Sequence, residues 1–130
     1  MYCLPVADPS FPPPTESGYD WRRHPWIGLP DSIERYSVQL WDEVKPLVAD
    51  GKYAEAAGRG RELIAAHPDL GYLYYNTACC ESLAGETDSA VEHVRHAIEL
   101  WEGCRAMARD DSDFDPIREN AAFAALMHSE

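Results

Sequence analysis

Apolar residues in the first half of the chain recur at the spacing of a helix. Four of them follow one another at intervals of seven, four and three residues, which places them on one helical face: Ile33, Leu40, Val44 and Leu47. Asp31 stands three residues before a glutamate, a capping-box pattern that predicts a helix start. Pro46 lies inside this run and predicts a kink, and Gly51 predicts its end.

Three further amphipathic runs follow, each ended by a helix-stopping signal. The first extends from residue 53 to 66 and ends at His67-Pro68, the second from 70 to 84 and ends at Gly85, and the third from 88 to 101 and ends before Gly103. Between these signals the sequence contains no alternation of apolar and polar residues that would predict a strand. We therefore predict an all-α domain built from helical hairpins, which begins at residue 31 and extends to residue 130.

The first thirty residues differ in composition from the rest. They hold seven of the ten prolines, so this segment is expected to be extended, in part as polyproline II, without a helix of its own. It also holds aromatic anchors that disordered tails usually lack: Tyr2, Phe11, Tyr19, Trp21 and Trp26. We interpret residues 1–30 as an arm that packs on the helical domain; the alternative is a plain linker.

A period of 34 residues relates the hairpins. Gly51 and Gly85 are 34 residues apart, and three more pairs repeat at this offset: Ala56 and Ala90, Arg61 and Arg95, Ile64 and Ile98. This is the length of the tetratricopeptide (TPR) repeat. The second unit, residues 71–104, resembles a TPR motif at six positions: Tyr74, Ala78, Gly85, Ala90, Val94 and Ala97. Glu81 and Glu102 depart from it.

Two shorter segments sharpen this resemblance. The run YNTACC at residues 75–80 and the run DDSDFDPIR at residues 110–118 are similar to the end of a bacterial TPR group. In that group a YNLAC-type helix precedes a final DPDFDPLR-type turn and short helix, in lipoproteins and behind small cupin domains of actinobacterial-type proteins. The resemblance covers residues 37–127 and implies two units, 37–70 and 71–104, with a cap at 105–127. It implies a fold and says nothing about the ligand.

Charge and hydropathy exclude several classes of function. The chain has 130 residues, with 23 acidic and 11 basic side chains and a formal net charge of −12. Such a polyanion is repelled by phosphate backbones and by anionic membrane surfaces, so we expect neither nucleic acid nor membrane as a partner. No stretch of apolar residues is long enough to span a membrane, and the start lacks the pattern of an export signal. We therefore expect a cytoplasmic protein with reduced cysteines.

No motif predicts catalysis, a cofactor or a metal. The sequence contains no nucleophile elbow, P-loop, HExxH pair or glycine-rich dinucleotide turn, which favours a non-enzymatic protein. In the acidic run at 111–115, Pro116 stands where a calcium loop needs glycine, so we interpret Asp115 as the cap of a last helix with Pro116 at its first position. His93 and His96 are predicted to be solvated on the outside of the fourth helix.

The TPR resemblance implies a concave groove that binds an extended peptide or a partner helix. We call the following set the predicted groove: Trp41, Lys45, Tyr72, Tyr75, Asn76, Cys79 and Ser82. Its three aromatic residues are expected to be hot spots, and its lysine and asparagine to orient the partner's backbone. The function we predict is a protein-interaction module or adaptor, with a basic or proline-containing partner.

Three alternatives stay open. The chain could be an accessory subunit of an enzyme complex that docks through the arm around Trp21 and Trp26, or a thiol- or metal-responsive protein that uses Cys79, Cys80 and His93. The predicted groove could also be covered by the chain's own arm or by its final segment, because two repeats are fewer than such arrays usually need. A homo-oligomer is compatible with the sequence.

Overall fold

The structure is a computed structural model that describes residues 37–128. Within this range it is built from helices and contains no strand, so the all-α prediction is confirmed there. Residues 37–41 are helical, and six α-helices and one 3-10 helix follow: α1 (Lys45–Ala49), α2 (Tyr53–Ala66), α3 (Gly71–Ala84), α4 (Thr87–Leu100), α5 (Gly103–Asp110), the 3-10 helix Ser112–Ile117, and α6 (Ala121–His128). The predicted arm, residues 1–30, lies outside the described residues.

Helices α2 and α4 repeat at the predicted offset. Each has 14 residues, and each begins and ends 34 positions from the other. The turn before each contains a glycine in the left-handed region, Gly51 at φ 73° and Gly85 at φ 83°, a conformation that side chains with a Cβ rarely adopt. The backbone N–H groups of Lys52 and Glu86 donate to the carbonyls of Leu47 and Glu81, so the helix-ending hydrogen bond also recurs after 34 residues.

The first predicted helix is broken rather than kinked. Helical residues 37–41 are followed by a turn at 42–44, and α1 then begins at Lys45 with Pro46 in its first turn. Proline is well tolerated there because the first N–H groups of a helix have no partner within the helix. The prediction that Pro46 kinks a continuous helix is therefore wrong.

Helix α3 is the centre of the domain. It packs between α2 and α4, the 3-10 helix lies on a further side, and every residue from 72 to 82 is buried. Small residues allow the close helix contacts, since Ala56, Ala78, Ala90 and Ala97 are all fully buried. Helices α2 and α3 also approach closely at Gly60 of α2, where an added Cβ would stand 2.2 Å from Thr77 Oγ1.

The end of the domain is capped differently from the prediction. The Asp111 carboxylate accepts a hydrogen bond from the Asp113 backbone N–H at 3.0 Å and so caps the 3-10 helix. Asn120 Oδ1 accepts from the Phe123 backbone N–H at 3.0 Å at the start of α6. Asp115 and Pro116 both lie inside the 3-10 helix, so the prediction that they begin the last helix is wrong. Among the helices of the described range, none is both long and apolar enough to cross a membrane.

Candidate functional site

The structure buries most of the predicted groove. Six of its seven residues are buried, all of them at most 2% exposed, and they belong to the core rather than to an open surface: Trp41, Tyr72, Tyr75, Asn76, Cys79 and Ser82. Only Lys45 is exposed, and its Nζ lies 2.9 Å from Asp42 Oδ1 in a solvated ion pair, which contributes little to stability. A partner can therefore contact this set only where it takes the place of a covering segment.

One edge of the predicted groove is covered by the 3-10 helix Ser112–Ile117, which we call the strap. The Tyr75 hydroxyl donates to Asp111 Oδ2 at 2.8 Å, and the Ser82 hydroxyl donates to the Asp113 carbonyl at 2.8 Å. The Phe114 ring meets the Tyr75 ring edge-on, with centroids 5.5 Å apart. Burial raises the pKa of Tyr75, with the charge of Asp111 adding to the effect, so the hydroxyl keeps its proton and remains a donor.

The strap is fixed from both ends. Arg118 donates to the backbone carbonyls of Arg109, at 3.0 Å, and of Asp111, at 2.7 Å. Its guanidinium also lies over the Phe123 ring, 5.9 Å from the centroid, and Phe123 packs on Phe114 with centroids 5.4 Å apart. These contacts make the strap part of the folded core.

The other edge of the predicted groove contains an unsatisfied amide. Asn76 is fully buried, and neither its Oδ1 nor its Nδ2 has a hydrogen-bond partner in the described part of the chain. Leaving a buried polar group unpaired costs about 1–3 kcal/mol. The Asn76 side chain offers an NH₂ donor and a carbonyl acceptor. These two groups can pair with the C=O and N–H groups of an extended backbone. Within the predicted groove, Asn76 therefore offers a buried donor and a buried acceptor that no residue of the described range uses.

A buried charge network lies on another side of α3, where the sequence did not predict one. The Glu81 carboxylate is fully buried, with Oε2 2.7 Å from an Arg61 guanidinium nitrogen of α2 and Oε1 2.6 Å from His93 Nδ1 of α4. His93 is only 19% exposed, so the prediction that it is solvated is wrong, whereas His96 is exposed as predicted. A buried carboxylate without partners is costly, and this network ties three helices together.

A signal for that network was present in the sequence. Glu81 stands where the TPR pattern usually has tyrosine, inside an otherwise apolar helix, and a charge at such a position needs a partner from a neighbouring helix. Arg61 and Arg95 occupy equivalent positions at the 34-residue offset, yet Arg95 pairs with Glu92 and Glu99 on its own helix surface. The sequence therefore did not reveal which arginine reaches the buried carboxylate.

One group of side chains in the described range has the composition of a metal site. Ligand atoms of Cys79, Asp111 and Asp113 all lie within 4.8 Å of one another. Burial, together with the charges of Asp111 and Asp113, raises the pKa of Cys79 well above its usual range, and the thiol lies 3.9 Å from Asp111 Oδ2. A metal would have to displace the thiol proton and compete with the Tyr75 hydrogen bond to the same carboxylate. His93 is not a member of this group.

The two other thiols of residues 37–128 are also buried and protonated. Burial raises the pKa of Cys80 to about 12 and raises that of Cys104 as well. Such thiols are poor nucleophiles at neutral pH because the thiolate is the reactive form. This arrangement suits a cysteine that fills core space more than one that reacts.

The chain matches no protein-family model and no solved structure. It is similar to a DNA ligase of Paenarthrobacter aurescens (strain TC1), with 30% identity over 89 residues. The aligned segment covers 68% of this chain but only 11% of that ligase, so the chain corresponds to a small part of a much longer protein.

Proposed function

We propose that this chain is a TPR-like protein-interaction module without enzymatic activity, which binds an extended segment of a protein partner along the predicted groove. The observation that carries the proposal is the buried Asn76 amide, which has no hydrogen-bond partner among residues 37–128. The 34-residue offset between α2 and α4, with a left-handed glycine before each, supports the TPR-like part of it.

The binding mode follows from the side chains of the predicted groove. The partner's backbone would exchange hydrogen bonds with the Asn76 amide, while its apolar side chains pack against Trp41 and Tyr72. Acidic residues outnumber basic ones 23 to 11 in the chain, so a basic segment would be attracted and a nucleic acid repelled. Lys45, which is exposed beside Asp42, would contact a backbone carbonyl of the partner.

The proposal is tested by selecting ligands for the full chain from a random peptide library displayed on phage. We expect peptides rich in arginine or proline, and we expect Asn76→Ala to weaken the best of them at least about tenfold, equivalent to about 1.4 kcal/mol, in isothermal titration. The change removes an amide that makes no hydrogen bond to the described residues, so circular dichroism and the thermal midpoint should stay close to wild type.

Thr77→Ala is the matched control for this experiment. Thr77 is the next residue on α3, is fully buried, and lies on the side that packs against Gly60 of α2 rather than in the predicted groove. This variant should keep wild-type affinity for the selected peptide. Equal affinity of the peptide for Asn76→Ala and wild type, or a selection that enriches no peptide, would refute the proposed binding mode.

The similarity to a DNA ligase favours a second candidate, in which the chain is an accessory module of a larger enzyme. The related segment of that ligase is about a ninth of its length, as expected for an attached unit. In this candidate the docking element is the arm around Trp21 and Trp26, which lies outside the described residues. Full-chain variants separate the two: a partner lost by Trp21→Ala/Trp26→Ala and kept by Asn76→Ala supports docking through the arm, and the opposite result excludes it.

A further inference from the structure

A thiol of α3 and two carboxylates at the start of the strap face one another. Ligand atoms of Cys79, Asp111 and Asp113 all lie within 4.8 Å of one another, and we call these three residues the thiol–carboxylate cluster. Cys79 lies in α3, whereas Asp111 caps the strap and Asp113 lies within it. Three potential metal ligands therefore converge from two elements that the fold brings together.

The Cys79 thiol points into this cluster and is bound to no other group. Its side chain is fully buried, and among residues 37–128 its one hydrogen-bonding contact is the 3.9 Å approach of Sγ to Asp111 Oδ2. A thiol is a weak donor, so this contact holds Cys79 only weakly. The sulfur therefore remains available as a ligand inside the cluster.

We propose that the thiol–carboxylate cluster binds one borderline divalent cation, of the class of Zn²⁺, between α3 and the strap. A thiolate with two carboxylates suits such a cation, because Zn²⁺ accepts sulfur and oxygen ligands, whereas Ca²⁺ and Mg²⁺ take oxygen. Three protein ligands leave one tetrahedral position for water. This inference goes beyond the proposed function, since it does not depend on a bound peptide.

The spacing within the cluster is close to the spacing that a shared cation requires. With Zn–S at about 2.3 Å and Zn–O at about 2.1 Å, tetrahedral geometry places sulfur and oxygen about 3.6 Å apart. Cys79 Sγ and Asp111 Oδ2 are already 3.9 Å apart. The limit of 4.8 Å for the whole cluster implies an inward movement of about 1 Å, which small rotations of the two half-buried aspartates can supply.

Hydrogen bonds outside the cluster already orient the Asp111 carboxylate. Its Oδ2 accepts from the Tyr75 hydroxyl at 2.8 Å, and its Oδ1 accepts from the Asp113 backbone N–H at 3.0 Å. Each carboxylate oxygen has two lone pairs, so these bonds leave room for coordination of a cation. Ligating carboxylates are commonly fixed by hydrogen bonds of this kind.

Binding exchanges the thiol proton for the cation. The S–H bond of Cys79 breaks, the proton passes to solvent, and the sulfur electron pair forms the bond to the cation, so nothing is oxidised or reduced. Burial, and after it the charges of Asp111 and Asp113, raise the pKa of Cys79. A divalent cation among these groups reverses the effect, because its charge favours the thiolate. The bound cation would join the strap to α3.

The test is a titration of the full chain, reduced and freed of metal, with Co²⁺ as the spectroscopic probe for Zn²⁺. We expect one Co²⁺ per chain and a thiolate-to-cobalt charge-transfer band in the near ultraviolet, which excess Zn²⁺ abolishes by displacement. Cys79→Ser should abolish the band, and Asp113→Asn should weaken Co²⁺ binding at least about tenfold. Wild type without the band, or a band that survives in Cys79→Ser, would overturn the proposal.

Asp110→Asn is the matched control for Asp113→Asn. It removes the same charge from an exposed residue of the same acidic run that lies outside the cluster. This variant should keep wild-type affinity for Co²⁺, and equal weakening by both variants would mean general attraction to negative charge and overturn the site. Cys3→Ser, Cys80→Ala and Cys104→Ala should each keep the band. Its loss from any of them with intact helices would assign the thiolate elsewhere.

Two measurements keep the test decisive if Cys79→Ser disturbs the core. Circular dichroism checks the helices of each variant, and Asp113→Asn retains the backbone carbonyl to which the Ser82 hydroxyl donates. Saturating Zn²⁺ should raise the thermal midpoint of wild type and leave that of Asp113→Asn nearly unchanged, because a ligand that binds the folded state stabilises it. An unchanged midpoint of wild type would overturn the proposal.

Discussion

Gly60→Ala is the single substitution for which the packing of α2 on α3 predicts a sharp effect. An added Cβ would stand 2.2 Å from Thr77 Oγ1, 3.1 Å from Thr77 Cβ and 3.2 Å from Thr77 Cγ2. Thr77 is fully buried and β-branched, so one of its two alternative χ1 rotamers would put the methyl group where the hydroxyl now stands. The two helices must therefore separate, or the threonine must leave its preferred rotamer.

The magnitude follows from two opposed effects. Overpacking a well-filled core costs about 1–3 kcal/mol, and because a contact of 2.2 Å is closer than Cβ atoms tolerate, we take the upper part of this range, about 2–3 kcal/mol. Replacing glycine by alanine inside a helix stabilises the folded state by about 1 kcal/mol, because alanine has the higher helix propensity. We expect Gly60→Ala to lower the free energy of unfolding by about 1–2 kcal/mol as the balance of the two effects.

Gly58 on the same helix supplies the control. A Cβ at Gly58 would meet nothing within 4 Å, so Gly58→Ala gains helix propensity without a clash and should stabilise the chain by about 0.5–1 kcal/mol. Urea unfolding followed by circular dichroism measures both variants. Thr77→Ala removes Oγ1 and Cγ2 and leaves only Cβ, at 3.1 Å, in close contact, so Gly60→Ala should be much less costly in that background. An equal cost of Gly60→Ala with and without Thr77 would refute the reasoning.

Three shorter predictions concern buried polar groups. Glu81→Gln removes the charge paired with Arg61 and should lower the free energy of unfolding by about 2 kcal/mol, measured with urea. Tyr75→Phe deprives Asp111 of a donor and should cost about 1–2 kcal/mol in the same assay, with wild-type stability as the contrary result. Because its pKa is raised to about 12, Cys80 should resist iodoacetamide at pH 8 until urea unfolds the chain; rapid alkylation of the folded protein, seen by mass spectrometry, would contradict its burial.

The sequence predicted the helices best where the chain itself marks their ends. Helix α2 has the predicted bounds, and α3 and α4 each begin one residue from the prediction, because Gly85 and the His67-Pro68 pair are strong local stops. It failed at Pro46, where the helix breaks ahead of the proline instead of bending at it. The prediction that Asp115 caps a helix was also wrong. Asp111, four residues earlier, is an equally good cap, and the tertiary contacts of the strap select Asp111.

The site was less predictable because burial depends on contacts distant in sequence. Repeat spacing identifies which residues share a face of α3, and Tyr75, Cys79 and Ser82 do share one. It does not reveal that residues about thirty positions later return to cover that face through Asp111 and Asp113. Pairing of Glu81 with one of two equivalent arginines is decided in the same way, by the packing of α2 rather than by local pattern.

Most residues of the predicted groove are also part of the folded core. Substituting them would therefore disturb folding as well as binding, and few of them can report on binding alone. Alanine at Tyr75 would remove a fully buried ring and deprive Asp111 Oδ2 of its hydroxyl donor, so a partner lost after that change would reflect a damaged core. Trp41 and Tyr72 are buried almost as deeply, so the same holds for them. Asn76 differs, because its amide contributes no hydrogen bond to the described fold and its burial unpaired is a cost. Asn76 is therefore the residue of the predicted groove whose substitution is expected to report on binding rather than on folding.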